Sequence, residues 1–270
     1  MDIQVKRAEP AAEVDGAAFS LSEACSLVAG PQLSGIVQDL DLAKAEIVAV
    51  GRYLASRHYH AALAGNISAR IARDFLLCAC HGADKGSLTS DDLVLCDRNG
   101  KKLDGRADPT SELNMHRTAY RERPDVQAVV HAHPSMATAF AATSTPLDQL
   151  MLPEMVVLLG PVALVPYATP GSEELGRQLA RYLPDHDAFL LENHGALTVG
   201  QSLRQAAYRM ELIEHNARIT LAARQIGQPT FALAPEELKT LLEIRKKLNP
   251  PSTSGGEKRS SATRRSRSRN

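Results

Sequence analysis

The sequence has no tryptophan and only 4% aromatic residues. A core so poor in large rings must rest mainly on aliphatic packing of Ala, Val, Leu and Ile. With 44% hydrophobic residues in 270, there is enough of it for one large domain or two small ones. Cysteine is scarce as well. The spacing of Cys25, Cys78, Cys80 and Cys96 gives no secreted disulfide framework. Cys78 and Cys80 stand two apart in an apolar run, so they share one face of a strand, and buried thiols are the expected reading over a thiolate metal site. No apolar run is long enough to span a membrane, and the N-terminal stretch lacks the apolar core of a signal peptide, so a reducing cytoplasm is the expected compartment. Net charge is absent too, at a formal zero. The segment from Lys258 to Arg269 nevertheless carries six basic residues and no acid. The rest of the chain is therefore net acidic, which speaks against a nucleic-acid-binding body and leaves the basic tail as the sole feature pointing that way.

What is present alternates between two periods. Residues 1–35 read as an N-terminal extension with a short helix near Leu21–Val28. From Asp39 to about Arg57, Leu42, Ile47, Val50 and Leu54 recur at helical spacing. HYHAALAGNISARI turns into a strand, and FLLCAC and DLVLCD are two more. ELNMHRTAYRER is a helix that Thr110 or Ser111 can cap and Pro124 ends. VQAVVHAHP is a strand, MVVLLGPVALVPY reads as two short strands around Gly160-Pro161, and GSEELGRQLARYL is a helix capped by Ser172. DAFLLENHGALTVG gives a strand, a turn at His194-Gly195 and another strand. The longest helix follows, with Leu203, Ala207, Met210, Ile213 and Ala217 along one side. Interleaved strands and helices favour one α/β/α domain over residues 36–248. Beyond it, residues 249–270 have almost nothing apolar to bury and read as a disordered basic Ser/Arg tail.

Four segments carry candidate chemistry. His131 and His133, two apart on a strand, project from one face, and neutral imidazoles so placed converge on a cation. They end an apolar strand, where α/β folds place their sites. His194 ends another apolar strand and supplies a third ligand; Gly195 lets the backbone turn there. Three histidines with an open fourth position describe a catalytic zinc site. Glu112 begins a helix behind Thr110 and Ser111. Alone it is a favourable first-turn charge, and beside a metal it is a proton shuttle. The same helix start offers N–H groups and hydroxyls to an anion. Gly65-Asn66 is either an ordinary turn or an anion contact through the Asn66 amide. His58, His60, His116, His186 and His215 read as surface or packing residues.

Taken in order, AGNIS at 64–68, HGADKGSLTSDDLVLCD at 81–97, TSELNMHRTAY at 110–120, VVHAHP at 129–134, VPYATPGSEEL at 165–175 and ENHGALTVG at 192–200 resemble the class II aldolase/adducin family, from about Leu42 to about Arg224. The pattern is most similar to that of the fuculose-phosphate aldolases. The resemblance implies a single three-layer α/β/α domain around a mostly antiparallel sheet, in a homotetramer with active sites between subunits. It implies one Zn2+ per subunit on His131, His133 and His194, with Glu112 as acid–base and as a further ligand of the empty metal. Asn66, Gly82, Thr110 and Ser111 would then meet a substrate phosphate. The implied reaction is reversible retro-aldol cleavage of a ketose, such as a sugar 1-phosphate, to dihydroxyacetone phosphate and an aldehyde.

Two departures stand out. His81 precedes Gly82 where the aldolases carry Ser or Thr. The stretch PLDQLMLPEM also lacks the tyrosine that those enzymes use from a neighbouring subunit, which leaves either Glu154 in its place or a different step. The rival readings are a sugar-phosphate dehydratase or epimerase of the same family and a non-catalytic adducin-like interaction protein. The epimerase carries a different acidic residue at the Glu112 position, and adducin-type members tend to lose the metal histidines that this chain keeps.

Overall fold

The structure, a computed structural model, describes residues 33–148, 151–227 and 233–248. The helix expected near Leu21–Val28 and the basic tail lie outside them. In chain order the elements are α1 (Leu33–Ser56), β1 (Asn66–Ala72), β2 (Phe75–Ala79), β3 (Leu93–Asp97), β4 (Lys102–Asp104), α2 (Leu113–Glu122), β5 (Ala128–Ala132), α3 (Ser135–Ala142), β6 (Val162–Val165), α4 (Glu173–Ala180), β7 (Ala188–Leu191), β8 (Gly195–Gly200), α5 (Leu203–Ile226) and α6 (Pro235–Leu248).

The strands form one eight-stranded sheet in the order β4-β3-β2-β1-β5-β8-β7-β6. Every neighbouring pair is antiparallel except β6–β7. Those two parallel strands are joined by the crossover helix α4, as parallel pairing requires. The period-2 pattern decides which residue meets which layer. Ala128, Val130 and Ala132 of β5 pack with α1, α3 and α5 through residues such as Ile47, Leu54, Phe140 and Met210. Val129 faces the other way, into a second cluster with Met115, Ala119, Leu175 and Leu179 of α2 and α4. Two helical layers thus cover the two faces, giving the expected three-layer α/β/α arrangement with a mostly antiparallel sheet.

Local expectations are met unevenly. Leu203, Ala207, Met210, Ile213 and Ala217 are all buried along α5. Ser172 caps α4 by accepting from the Leu175 amide. On α1 the buried residues Leu40, Ile47 and Leu54 recur every seven, whereas Leu42 is 62% exposed. Two short strands were expected around Gly160-Pro161, but only β6 is one. Met155–Leu159 forms a π-helical turn instead, because a continuous apolar run has no period to separate strand from buried helix. Neither Thr110 nor Ser111 occupies the N-cap of α2; Glu112 does, with no side-chain cap bond. Cys78, Cys80 and Cys96 are buried free thiols.

A charge cluster ties the last helix to the body. Asp187, just before β7, accepts from Arg123 at 3.1 Å, Arg209 at 2.9 Å and Arg245 of α6 at 2.7 Å. Arg245 also donates to the Val157 carbonyl, so α6 rests on the π-helical turn.

Candidate metal centre

Antiparallel pairing brings three strand ends to one place. Asn66 at the start of β1 lies directly opposite His131 on β5, and His131 lies opposite Leu197 on β8. His133 follows the end of β5, and His194 immediately precedes β8. The N-terminus of α2 covers the same spot and delivers Glu112. Among the described residues, His131, His133 and His194 form the sole cluster of at least three candidate metal-binding side chains, with their ligand atoms within 4.8 Å of one another.

Backbone geometry sets the third histidine. Asn193 adopts a left-handed conformation, φ 52°, which asparagine tolerates better than most residues. The turn then closes with the His194 amide on the Leu191 carbonyl at 3.0 Å. Gly195 serves another purpose than the expected turn. A Cβ there would stand 2.4 Å from Cδ2 of His133 and 2.8 Å from the Ala132 carbonyl oxygen. Glycine is required so that the His133 ring can pack against the strand. Gly195→Ala should therefore displace that ring. We expect metal affinity to fall by at least about tenfold and stability by about 1–3 kcal/mol, the usual cost of overpacking. Zinc titration and thermal melting measure both, and an unchanged zinc affinity would show that the ring has room to move.

The imidazoles are disposed to act as neutral ligands. Nδ1 of His131 faces the Ala196 carbonyl oxygen at 2.9 Å, so it carries the proton and Nε2 presents a lone pair. Burial drives His131 well below the usual histidine range, and His133 below it as well. That lone pair points at Nε2 of His133, 3.0 Å away, and at Oε2 of Glu112, 3.3 Å away. Burial alone would raise the Glu112 carboxyl. The neighbouring imidazoles of His194 and His131 and the donating Asn66 amide outweigh it, holding the group below the usual carboxylate range.

These residues fit a metal ion. The Nε2 lone pair of His131 faces the Glu112 carboxylate, acceptor against acceptor, which a cation between them would relieve. Two nitrogens about 2.0–2.1 Å from a tetrahedral zinc stand about 3.3 Å apart, close to the His131–His133 separation. Oε1 of Glu112 and Nδ1 of His194 are buried without a hydrogen-bond partner, although Oε1 lies 3.2 Å from Nε2 of His194.

The carboxylate is oriented from behind by a buried chain of hydrogen bonds. Nδ2 of Asn66 donates to Oε2 of Glu112 at 2.7 Å. Oδ1 of Asn66 can only accept, so Nε2–H of His116 donates to it. Burial lowers His116 to about 4, so its ring is neutral and its Nδ1 accepts from the Ser68 hydroxyl at 2.7 Å. Ser68 in turn meets the Tyr120 hydroxyl at 2.7 Å. His116 is therefore more than a packing residue. Its signal is in the sequence: Glu112, His116 and Tyr120 fall at i, i+4 and i+8 on α2, and Asn66 and Ser68 at i and i+2 on β1.

A cleft of about 320 Å³ opens beside this group, lined in part by Asn66, His81, Gly82, Thr110, Ser111 and His133. The Class II Aldolase and Adducin N-terminal domain family matches residues 45–221, more than half of the chain. The chain belongs to the class II aldolase/adducin family. An L-fuculose phosphate aldolase of Methanococcus maripaludis is 33% identical over 174 residues, covering 64% of this chain and 93% of the relative. A 3-oxo-tetronate 4-phosphate decarboxylase of Pectobacterium atrosepticum is 34% identical over 182 residues, covering 66% and 83%. The solved structure of YgbL from Klebsiella pneumoniae superposes with a TM-score of 0.70 at 31% identity, covering 75% of this chain and 98% of that one.

For this member of the aldolase/adducin family, the fold gathers the candidate metal and phosphate residues but not Glu154. The three histidines and Glu112 converge, while Asn66, Gly82, Thr110 and Ser111 line the adjoining cleft with His81. Glu154 is exposed and is not among the cleft-lining residues. Two further polar residues, absent from the sequence-based site, are also drawn in. The ring of His60 is buried with both nitrogens unpartnered, pushed down to about 4 by burial. Lys85 is 2% exposed and lines the cleft.

Proposed function

We propose that this protein is a metal-dependent carbon–carbon lyase that cleaves a phosphorylated ketose, reversibly, to dihydroxyacetone phosphate and an aldehyde. The observation that carries the reading is the convergence of three imidazoles and the Glu112 carboxylate at one edge of a polar cleft. A zinc ion on His131, His133 and His194 would supply Lewis acidity to a substrate carbonyl and its neighbouring hydroxyl. Glu112, held ionised, takes and returns the proton at the carbon next to that carbonyl. Asn66 fixes the carboxylate through its amide, backed by His116, Ser68 and Tyr120. The Thr110 and Ser111 hydroxyls and the Gly82 loop receive the phosphate. A cytoplasmic homotetramer, with a neighbouring subunit completing the open side of the cleft, belongs to the same proposal.

The 34% identity to a 3-oxo-tetronate 4-phosphate decarboxylase favours a second reading. Decarboxylation beside a carbonyl makes the same demand, an electron pair left on the adjacent carbon. One assay separates the two. The zinc-loaded protein is offered fuculose 1-phosphate and related ketose 1-phosphates, their unphosphorylated analogues, and 3-oxo-tetronate 4-phosphate. We expect dihydroxyacetone phosphate from a ketose 1-phosphate. Carbon dioxide released together with dihydroxyacetone phosphate from 3-oxo-tetronate 4-phosphate, with every ketose 1-phosphate left intact, would establish the second reading, and no turnover by zinc-loaded protein would overturn both.

A further inference from the structure

Lys85 poses an energetic problem that the proposed function does not use. Its side chain is almost completely buried at 2% exposure, yet among the described residues it forms no ion pair. Buried ammonium groups are ordinarily paired, because the cost of desolvating an isolated charge is high. Here Nζ donates to two backbone carbonyls, Leu63 at 2.6 Å and Ala83 at 2.7 Å. An ammonium has three donors, and these bonds use two. The carbonyls belong to the loops on either side of the cleft, one before Gly65 and one after Gly82, so the charge sits between them. Asp84 does not neutralise it, because its carboxylate is exposed and accepts from the Gly86 amide and the Ser87 hydroxyl.

The cleft wall beside Lys85 suits a small oxyanion. Gly82 has φ +72°, and the space its Cβ would take has no atom within 4 Å. The hydroxyls of Thr110 and Ser111 line the same cleft. Of the lining residues, Lys85 alone bears a fixed positive charge. A phosphate dianion needs such a counter-charge, and at the loop position where aldolases of the family carry a hydroxyl this chain carries His81. We propose that Lys85 is the cationic anchor for the phosphate of the substrate, and so the residue that makes this cleft select phosphorylated over unphosphorylated ketoses. The inference rests on the sugar-phosphate lyase reading, but it concerns anion binding alone and can fail without it.

Inorganic phosphate is the probe. Full-length wild type and Lys85→Met are titrated with phosphate in thermal melts, each metal-stripped and zinc-loaded, with zinc content measured on the same samples. Acetate at equal ionic strength is the control. Phosphate should raise the melting temperature of the wild type with or without zinc. Its apparent affinity should be about 10- to 100-fold weaker in Lys85→Met, the fold-change carried by one hydrogen bond to a charged group. Equal phosphate affinity in the two proteins, or stabilisation by acetate equal to that by phosphate, overturns the proposal. So does a wild type that holds zinc and ignores phosphate, whereas loss of zinc binding would instead sink the lyase reading. Should Lys85→Met fail to fold, a crystal structure of the wild type with phosphate decides. The proposal requires a phosphate oxygen within hydrogen-bond distance of Nζ, and phosphate bound elsewhere refutes it.

Discussion

Glu112→Gln is expected to keep its fold and metal and to lose about 10²–10⁴-fold in turnover, the usual contribution of a positioned acid–base. The amide has the shape of the carboxylate and can still meet the Asn66 side chain, which donates to Oε2 at 2.7 Å in the native protein. It cannot take a proton and give it back. If Glu112 served only as a charge at the start of α2, its loss would cost about 0.3–1 kcal/mol of stability and almost no turnover. Activity and zinc content measured on one preparation separate the two, because a lost metal would imitate a lost base. A zinc-loaded Glu112→Gln protein with near wild-type turnover on its substrate would remove Glu112 from the chemistry.

The largest expected effect on stability lies away from the cleft. Asp187→Ala removes the carboxylate shared by Arg123, Arg209 and Arg245, whose side chains are 20%, 5% and 14% exposed. Arg123 keeps Asp125 at 2.7 Å, while Arg209 and Arg245 lose the Asp187 carboxylate oxygen that both meet. Breaking such a buried arrangement from one side costs about 3–5 kcal/mol. The loss should appear in denaturant melts, with α6 loosening because Arg245 joins it to the body. Asp187→Asn, which keeps one acceptor and loses the charge, should fall between. A change below about 1 kcal/mol in Asp187→Ala would mean that the guanidinium groups find water or other acceptors at little cost.

How much of this was visible in the chain depends on the range of the interaction. The central strands were legible because β5 and β8 alternate faces, and His131 and His133 share a face for the same reason. The long helix α5 was legible through its apolar stripe. Met155–Leu159 was not, since an unbroken apolar run fits strand and helix alike. Helix α6 has its signals in order, with Pro235 first, Glu236 and Glu237 in the first turn and Arg245, Lys246 and Lys247 in the last. It buries no residue, so no apolar stripe marks it. At the site, His131 and His133 were legible from their spacing on one strand, and His194 from its place at the end of another. The role of Gly195 was not, because what forbids a side chain there is the ring of His133, 62 residues away in sequence but adjacent across the sheet. Lys85 and His60 were hidden for a related reason. Charged and polar residues are read as solvated until loops distant in sequence close over them, and nothing local announces that closure.

The central claim is that His131, His133 and His194 hold one catalytic metal ion, and the most direct measurement is elemental analysis of wild type and His133→Ala after zinc loading and dialysis. The account predicts about one zinc per wild-type subunit and a stoichiometry near zero for the variant, whose fold should persist because the His133 ring lies at the cleft rather than in either apolar cluster. Equal zinc in the two proteins, or none in the wild type, would contradict it.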